Sequence, residues 1–222
     1  MNNKTMYILI ALGVGLIIWF LYSWLSVRNI EEPKYSVVSI ADGYEIREYN
    51  SYILAETVIS GAQDRNDAAR KGFPIVAGYI FGDNTKKDKI AMTVPVNTEE
   101  ATSQKIAMTV PVNTEQAEKG SYKVSFVLPS EYTMDALPTP NDSRVSLVEV
   151  PSRKVAVKRF TWIVNETRLR NNEESLLTSL KRDGVEPVSA VNIARFNPPW
   201  TIPFLCFTEV MIEVDATYAV HS

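Results

Sequence analysis

The sequence predicts an α+β protein: one antiparallel sheet or open barrel, two helices outside it, and a membrane-length helix in front. Three observations carry this. Short stretches alternating between apolar and polar residues recur through most of the chain. Two further segments space their apolar residues for one face of a helix. Thr5–Val27 is a run of 23 residues with no charged side chain. At 45% hydrophobic and 22% charged, the 222 residues can bury a core and do not read as disordered.

The N-terminal run is long enough to cross a bilayer as a helix. Tyr7, Trp19, Tyr22 and Trp24 lie toward its two ends, as an aromatic belt would. A cleaved signal peptide has a shorter apolar stretch followed by a small-residue cleavage site, and no such site follows here. Residues 1–27 therefore read as an uncleaved anchor held in the lipid bilayer through residues 5–27, making a single-pass membrane protein. Lys4 stands on one side of it and Arg28 and Lys34 on the other, so charge does not fix which side the domain occupies. Residues 28–34 form a polar connector containing Pro33. The folded domain is expected over residues 35–214, with residues 215–222 as a flexible tail.

Strands are expected at Tyr35–Ile40 and Tyr44–Tyr49, separated by the turn Ala41-Asp42-Gly43, and then at Tyr52–Ser60. A helix follows over residues 63–81, capped by Asp64 or Asn66, with Ala68, Ala69, Phe73, Val76, Ala77 and Ile80 on its apolar face. Pro74 should kink it. Next, Lys89–Glu99 reads KIAMTVPVNTE, and Lys105–Glu115 reads KIAMTVPVNTE again, an internal repeat at an offset of 16. Ile90, Met92, Val94 and Val96 alternate in the first copy, as Ile106, Met108, Val110 and Val112 do in the second. The two copies are expected to form a hairpin linked by Glu100–Gln104, with Pro95 and Pro111 at an edge or bulge.

Further strands are expected at Tyr122–Leu128, Val145–Val150, Lys154–Phe160, Val191–Phe196 and Thr208–Val214. Asn172–Arg182 should be a second helix, capped by Asn171 or Asn172 and ended by Gly184. Glu45–Ile59 can be laid on Ser146–Phe160 at an offset of 101. In each segment two strands pair across a small turn, and a helix and more strands follow. This pattern predicts two similar halves.

Several chemistries are excluded by composition. Cys206 is the sole cysteine, so neither an intrachain disulfide nor a cysteine zinc cluster can form. His221 is the sole histidine, beside the C-terminus, so a His-based triad or metal site is not expected. The net charge of −3 gives no basic surface for nucleic acid. No Gly-rich phosphate loop, nucleophile elbow or H-E-x-x-H motif occurs, so no enzyme activity is expected. Glu99, Glu100 and Glu115 read as a solvated hairpin end.

What remains is an apolar inventory suited to a pocket. Met92 and Met108 recur at matching places in the repeat, and methionine suits an adaptable apolar surface. Phe73 and Tyr79 sit on the first domain helix. Trp200 and Phe204 sit in the Pro-rich turn NPPWTIPF, where large apolar side chains can wall a pocket. Arg70 and Lys71 border the helix's apolar face, where they could pair with carboxylates of a ligand.

Three segments resemble the SOUL/heme-binding-protein family: YIFGDN at Tyr79–Asn84, the doubled KIAMTVPV at Lys89–Val96 and Lys105–Val112, and FNPPWTIPFLCFTEV at Phe196–Val210. The similarity covers residues 35–214. It implies a distorted antiparallel β-barrel flanked by two helices and built from two similar halves. It further implies non-covalent binding of heme or a related tetrapyrrole in a shallow apolar groove, without catalysis. Arg70, Phe73 and Ala77 would face that groove from the helix, and Trp200 and Phe204 from the loop before the last strand. Tyr79, Met92 and Met108 complete the candidate set, with Met or Tyr near iron and no His ligand from the domain. Cys206, Phe207 and Thr208 stand where family members carry two basic residues and an Asn. The alternative is a protein-interaction or small-ligand module on the same fold that has lost heme; a tetrapyrrole-degrading or esterase activity has no nucleophile–base pair to support it.

Overall fold

The computed structural model describes residues 2–27, 31–86, 89–90, 93–100, 120–197 and 201–215. Among these are three α-helices and a curled half-barrel of nine antiparallel strands. The strands are β1 (Tyr35–Ala41), β2 (Tyr44–Tyr49), β3 (Tyr52–Ile59), β4 (Val96–Glu100), β5 (Tyr122–Val127), β6 (Ser146–Val150), β7 (Arg153–Thr161), β8 (Asn192–Arg195) and β9 (Phe207–Glu213). The helices are α1 (Asn3–Val27), α2 (Arg65–Ile80) and α3 (Glu166–Arg182). Pro203–Leu205 forms a short 3-10 turn.

The strand order is β1-β2-β7-β9-β8-β4-β5-β3-β6. Setting β1 aside, exchanging β2 with β6, β3 with β7, β4 with β8 and β5 with β9 gives the same order read backwards. The sheet therefore has a pseudo-two-fold axis between β8 and β4, and the offset of 101 superposes β2–β3 on β6–β7. The expectation of two halves holds. The pairing inside each half does not. β2 pairs with β7 and β3 with β6, so the strands flanking each small turn separate and each joins the other half. That exchange makes one sheet of two halves, with the backbone groups of both satisfied across the seam.

The first repeat copy is also corrected. Residues 93–95 precede the strand, which starts at Val96, after Pro95, where a missing N–H costs no ladder bond. Glu100, expected in a link, closes this strand, and the partners of β4 are β5 and β8. The second copy, residues 105–115, lies outside the described residues.

Strand periodicity sorts the side chains onto two faces. On one face α3 covers Tyr44, Ile46, Ala156, Ile193, Val210 and Ile212 with Leu169, Leu176 and Leu180. Beside it α2 covers Ile53, Ala55 and Phe126 with Val76, Tyr79 and Ile80. The other face carries Tyr49, Val155, Val157, Ala194, Phe196 and Met211, joined by Val94 from the segment before β4.

α2 starts at Asp64, whose side chain accepts from the Asp67 N–H at 2.7 Å. It runs on through Pro74 to Ile80. α3 starts six residues earlier than its apolar spacing suggested. Asn165 caps it by accepting from the Arg168 N–H at 2.8 Å, and buried Leu169 anchors its first turn. α1 is long and apolar enough to cross a membrane, and most of its side chains are exposed. A signal sequence would pass the same test of length and composition.

Candidate ligand-binding groove

The N-terminal half of α2 is fixed from both sides. Arg65 donates to Glu173 of α3 at 2.9 Å, and Arg195 of β8 donates to Asn66. Within the helix, Asp67 gathers three donors: Lys71 Nζ at 2.7 Å, Arg70 Nη2 at 2.8 Å and the Gln63 N–H at 3.1 Å. The Lys71 ammonium, then the Gln63 N–H and the Arg70 guanidinium, hold the Asp67 carboxyl down at about 2, from an ordinary 3.8. A depressed carboxyl stabilises the fold above its unfolded pKa and loses that contribution as pH falls through the folded one. Asp67→Asn should therefore be less stable than the parent at pH 6. The gap should close between about pH 4 and pH 2, followed by thermal melts across that range.

The candidate residues divide by location. Arg70 is exposed on α2 with its guanidinium on Asp67. Phe73 is 41% exposed and packs its ring at 5.2 Å from Phe126 of β5, so one side of it faces outward. Ala77 is buried, and its carbonyl accepts the Phe81 N–H that closes the helix. Tyr79 lies in the core, its hydroxyl donating to the Pro138 carbonyl at 2.9 Å. Burial, and secondarily Tyr132, pushes its phenol up to about 12. Tyr79 thus serves as a pin between α2 and the 129–140 loop, and its polar end is already taken. Phe204 is 56% exposed in the 3-10 turn and stacks on Phe20 of α1, with ring centroids 6.5 Å apart. Met92, Met108 and Trp200 lie outside the described residues, as does His221. The structure brings Arg70, Phe73, Ala77 and Tyr79 onto one helix and sets Phe204 on the turn that leads into β9.

Cys206 follows that turn. Its thiol donates weakly to the carbonyls of Thr201 and Ile202, and burial pushes its pKa up, so it stays a neutral thiol.

The opposite face holds a charged cluster that the sequence reading missed. Glu209 on β9 is wholly buried and accepts from Arg47 of β2 through both terminal nitrogens at 3.0 Å, and from Arg159 Nε of β7 at 2.8 Å. Arg47 also reaches Glu45 and the Tyr49 hydroxyl and lies 4.3 Å from the Tyr35 ring centre. Burial alone would lower the Arg47 pKa; its bonds to Glu209 and Tyr49 reverse this and keep it charged. The available signal was alternation. Glu45, Arg47 and Tyr49 share one face of their strand, as do Glu209, Met211 and Glu213 of theirs, and a charged residue inside such a strand needs a partner.

Among the described residues, two cavities border the connector at Glu32 and Pro33. The smaller, about 20 Å³, is bounded by Arg47, Tyr49, Asn97, Asn192 and Phe196, with Glu32 and Pro33 of the connector across it. Glu32 is raised by burial and by neighbouring Glu209. The larger, about 570 Å³, lies between residues 31–34, the turn at Asn50 and Ser51, and the 128–135 loop.

The family model for SOUL heme-binding proteins matches residues 30–103 and 97–213. The mouse protein named heme-binding protein 2 is 29% identical over 158 residues, spanning 70% of this chain and 65% of its own length. Its human counterpart is 29% identical over 144 residues, spanning 64% of this chain and 63% of its own. The chain thus spans just under two thirds of the curated relatives it matches. Among solved structures, the C-terminal domain of EcmrR aligns with a TM-score of 0.57 at 12% identity, over 78% of this chain and 98% of that one. An uncharacterized conserved protein from Listeria innocua aligns at 0.50 and 10% identity, over 84% of this chain and 93% of that one. Both likenesses are of fold alone.

Proposed function

The chain belongs to the SOUL heme-binding protein family, and on that membership we propose that it binds heme or a related tetrapyrrole reversibly, as a binding protein and not an enzyme. The family match over residues 30–103 and 97–213 is the observation that carries the reading. The proposed organisation is an anchor at residues 1–27, a connector at 28–34, the binding domain at 35–214 and a tail at 215–222. The anchor is supported by the apolar, exposed α1.

The residues present fit the macrocycle and its carboxylates better than they fit the metal. Phe73 offers a half-exposed ring for one porphyrin face, and Trp200 of the Pro-rich segment is proposed for the opposite wall. Arg70 and Lys71 are exposed cations that could take propionates in exchange for Asp67. Met92 and Met108 are the thioethers of the proposed set, and neither Cys206 nor Tyr79 is an anionic ligand at neutral pH. Bound heme would supply the iron; the chain supplies apolar contact and charge, without a His ligand from the domain.

Titrating the full chain in nanodiscs with hemin, against empty nanodiscs, tests this. A Soret shift with saturable quenching of tryptophan fluorescence is expected, and the absence of both would refute it. Phe73→Ala combined with Trp200→Ala should weaken binding by about tenfold, since aromatic contacts to a ligand contribute on the order of 1–2 kcal/mol.

A second reading, a small-ligand module that does not take heme, is favoured by the larger cavity, whose 570 Å³ suits a small organic molecule. Native mass spectrometry of the protein as purified from its source separates the two by the mass of what travels with it.

A further inference from the structure

Trp162 and Ile163, just past β7, and Phe204, in the turn before β9, are 49%, 57% and 56% exposed. The two loops that carry them are joined by the backbone. The Trp162 N–H donates to the Cys206 carbonyl at 2.9 Å, just past the Thr161–Phe207 pair that ends the β7–β9 ladder. Trp162 has a φ of +86°, a conformation that bulky residues rarely adopt. It keeps this conformation with its indole half exposed, which core packing does not explain.

α1 meets the same patch. Phe20 stacks on Phe204, and Ser23, three residues on along the same helix face, is wholly buried. Phe20 lies seven residues before Val27, about 10 Å below the helix end at 1.5 Å per residue. An amphipathic surface element buries its apolar side about 5–10 Å into the boundary between headgroups and acyl chains. Tryptophan favours that depth. Arg168 donates to the Thr161 carbonyl at 3.0 Å, which holds a cation, the charge that anionic headgroups attract, next to Trp162.

We propose that Trp162, Ile163 and Phe204 dock into the phospholipid bilayer beside α1. The domain then rests on the membrane by this end instead of hanging from its connector. The occupant is lipid because the patch continues an apolar helix of membrane length. The proposal rests on the anchor reading, and its test separates the two.

The full chain would be reconstituted in nanodiscs containing phosphatidylserine, in a Cys206→Ser background. A fluorophore would be attached to single cysteines at Ile163, Phe204, Leu12 and Val188. Val188 is 54% exposed and bonds to Glu213, at the far end of β9 from the patch. Lipids spin-labelled near the headgroup should quench probes at 163 and 204 at least about threefold more than the probe at 188, as interfacial insertion requires. Lipids labelled deep in the chain should quench the probe at 12. If 163 and 204 match 188 while 12 is quenched, the anchor stands and the docking is refuted. If 12 is not quenched, the anchor reading fails, and probes 163 and 204 still decide the docking on their own. Probes at 163 and 204 shielded from both lipid and aqueous quenchers would mean a protein partner or second copy covers the patch, which also refutes the proposal.

Discussion

Replacing Glu209 by alanine is expected to cost about 3–5 kcal/mol of stability, read as a lowered denaturation midpoint of the full chain in micelles. The carboxylate is wholly buried and accepts both terminal nitrogens of Arg47 and the Nε of Arg159. Arg47 is itself only 2% exposed. Without Glu209 the buried guanidinium loses the carboxylate that faces both its terminal nitrogens and keeps only the partly exposed Glu45 at one edge and the neutral Tyr49 hydroxyl on Nη1. The loss comes from that stranded charge and not from the pair's own net value. Removing both charges by Arg47→Met with Glu209→Leu should therefore cost less than Glu209→Ala alone. A single variant within about 1 kcal/mol of the parent would show that the pair is not structural.

Gly72→Ala should destabilise the protein by about 1–2 kcal/mol, although alanine is the better helix former by about 1 kcal/mol. A Cβ at this position would sit 2.7 Å from both Cβ and Cγ2 of Val124. Val124 is completely buried on β5 and cannot turn away. α2 approaches the sheet this closely because position 72 carries no side chain. In a Val124→Ala background the same change should be neutral or stabilising, since the space then exists. A double-mutant cycle on thermal melts reads this coupling directly. Additive effects would mean the helix lies farther from β5 than the structure has it.

The legibility of the fold followed the range of the interactions that make it. Alternation placed Tyr44–Tyr49 as a strand to the residue, and Tyr35, Tyr52 and Tyr122 at their strand starts, because burial on one face writes itself into every second residue. Asp64 was one of two expected caps because a side-chain acceptor at that place satisfies a local need. The start of α3 was missed because Glu166–Asn171 carries just one core residue, Leu169, and its cap at Asn165 looks like any loop asparagine. The candidate residues of α2 were read from the sequence as one group. Sequence spacing alone gave no means to separate exposed Phe73 from buried Tyr79, since each is an aromatic on a partly apolar helix.

By itself, then, the sequence determined what local patterning can encode: the class of each segment, the duplicated half seen in the offset of 101, the apolar N-terminal helix, and motifs that resemble one family. Tertiary structure alone decided which strands pair. β2 joins β7 and not its neighbour β3, because hydrogen-bonding edges are alike along every strand and the closing of two halves into one sheet selects among them. It also decided that Arg47 and Glu209, 162 residues apart, meet in the interior, and that Phe20 meets Phe204. Charges and rings read the same wherever they stand in a chain; only the fold assigns their partners.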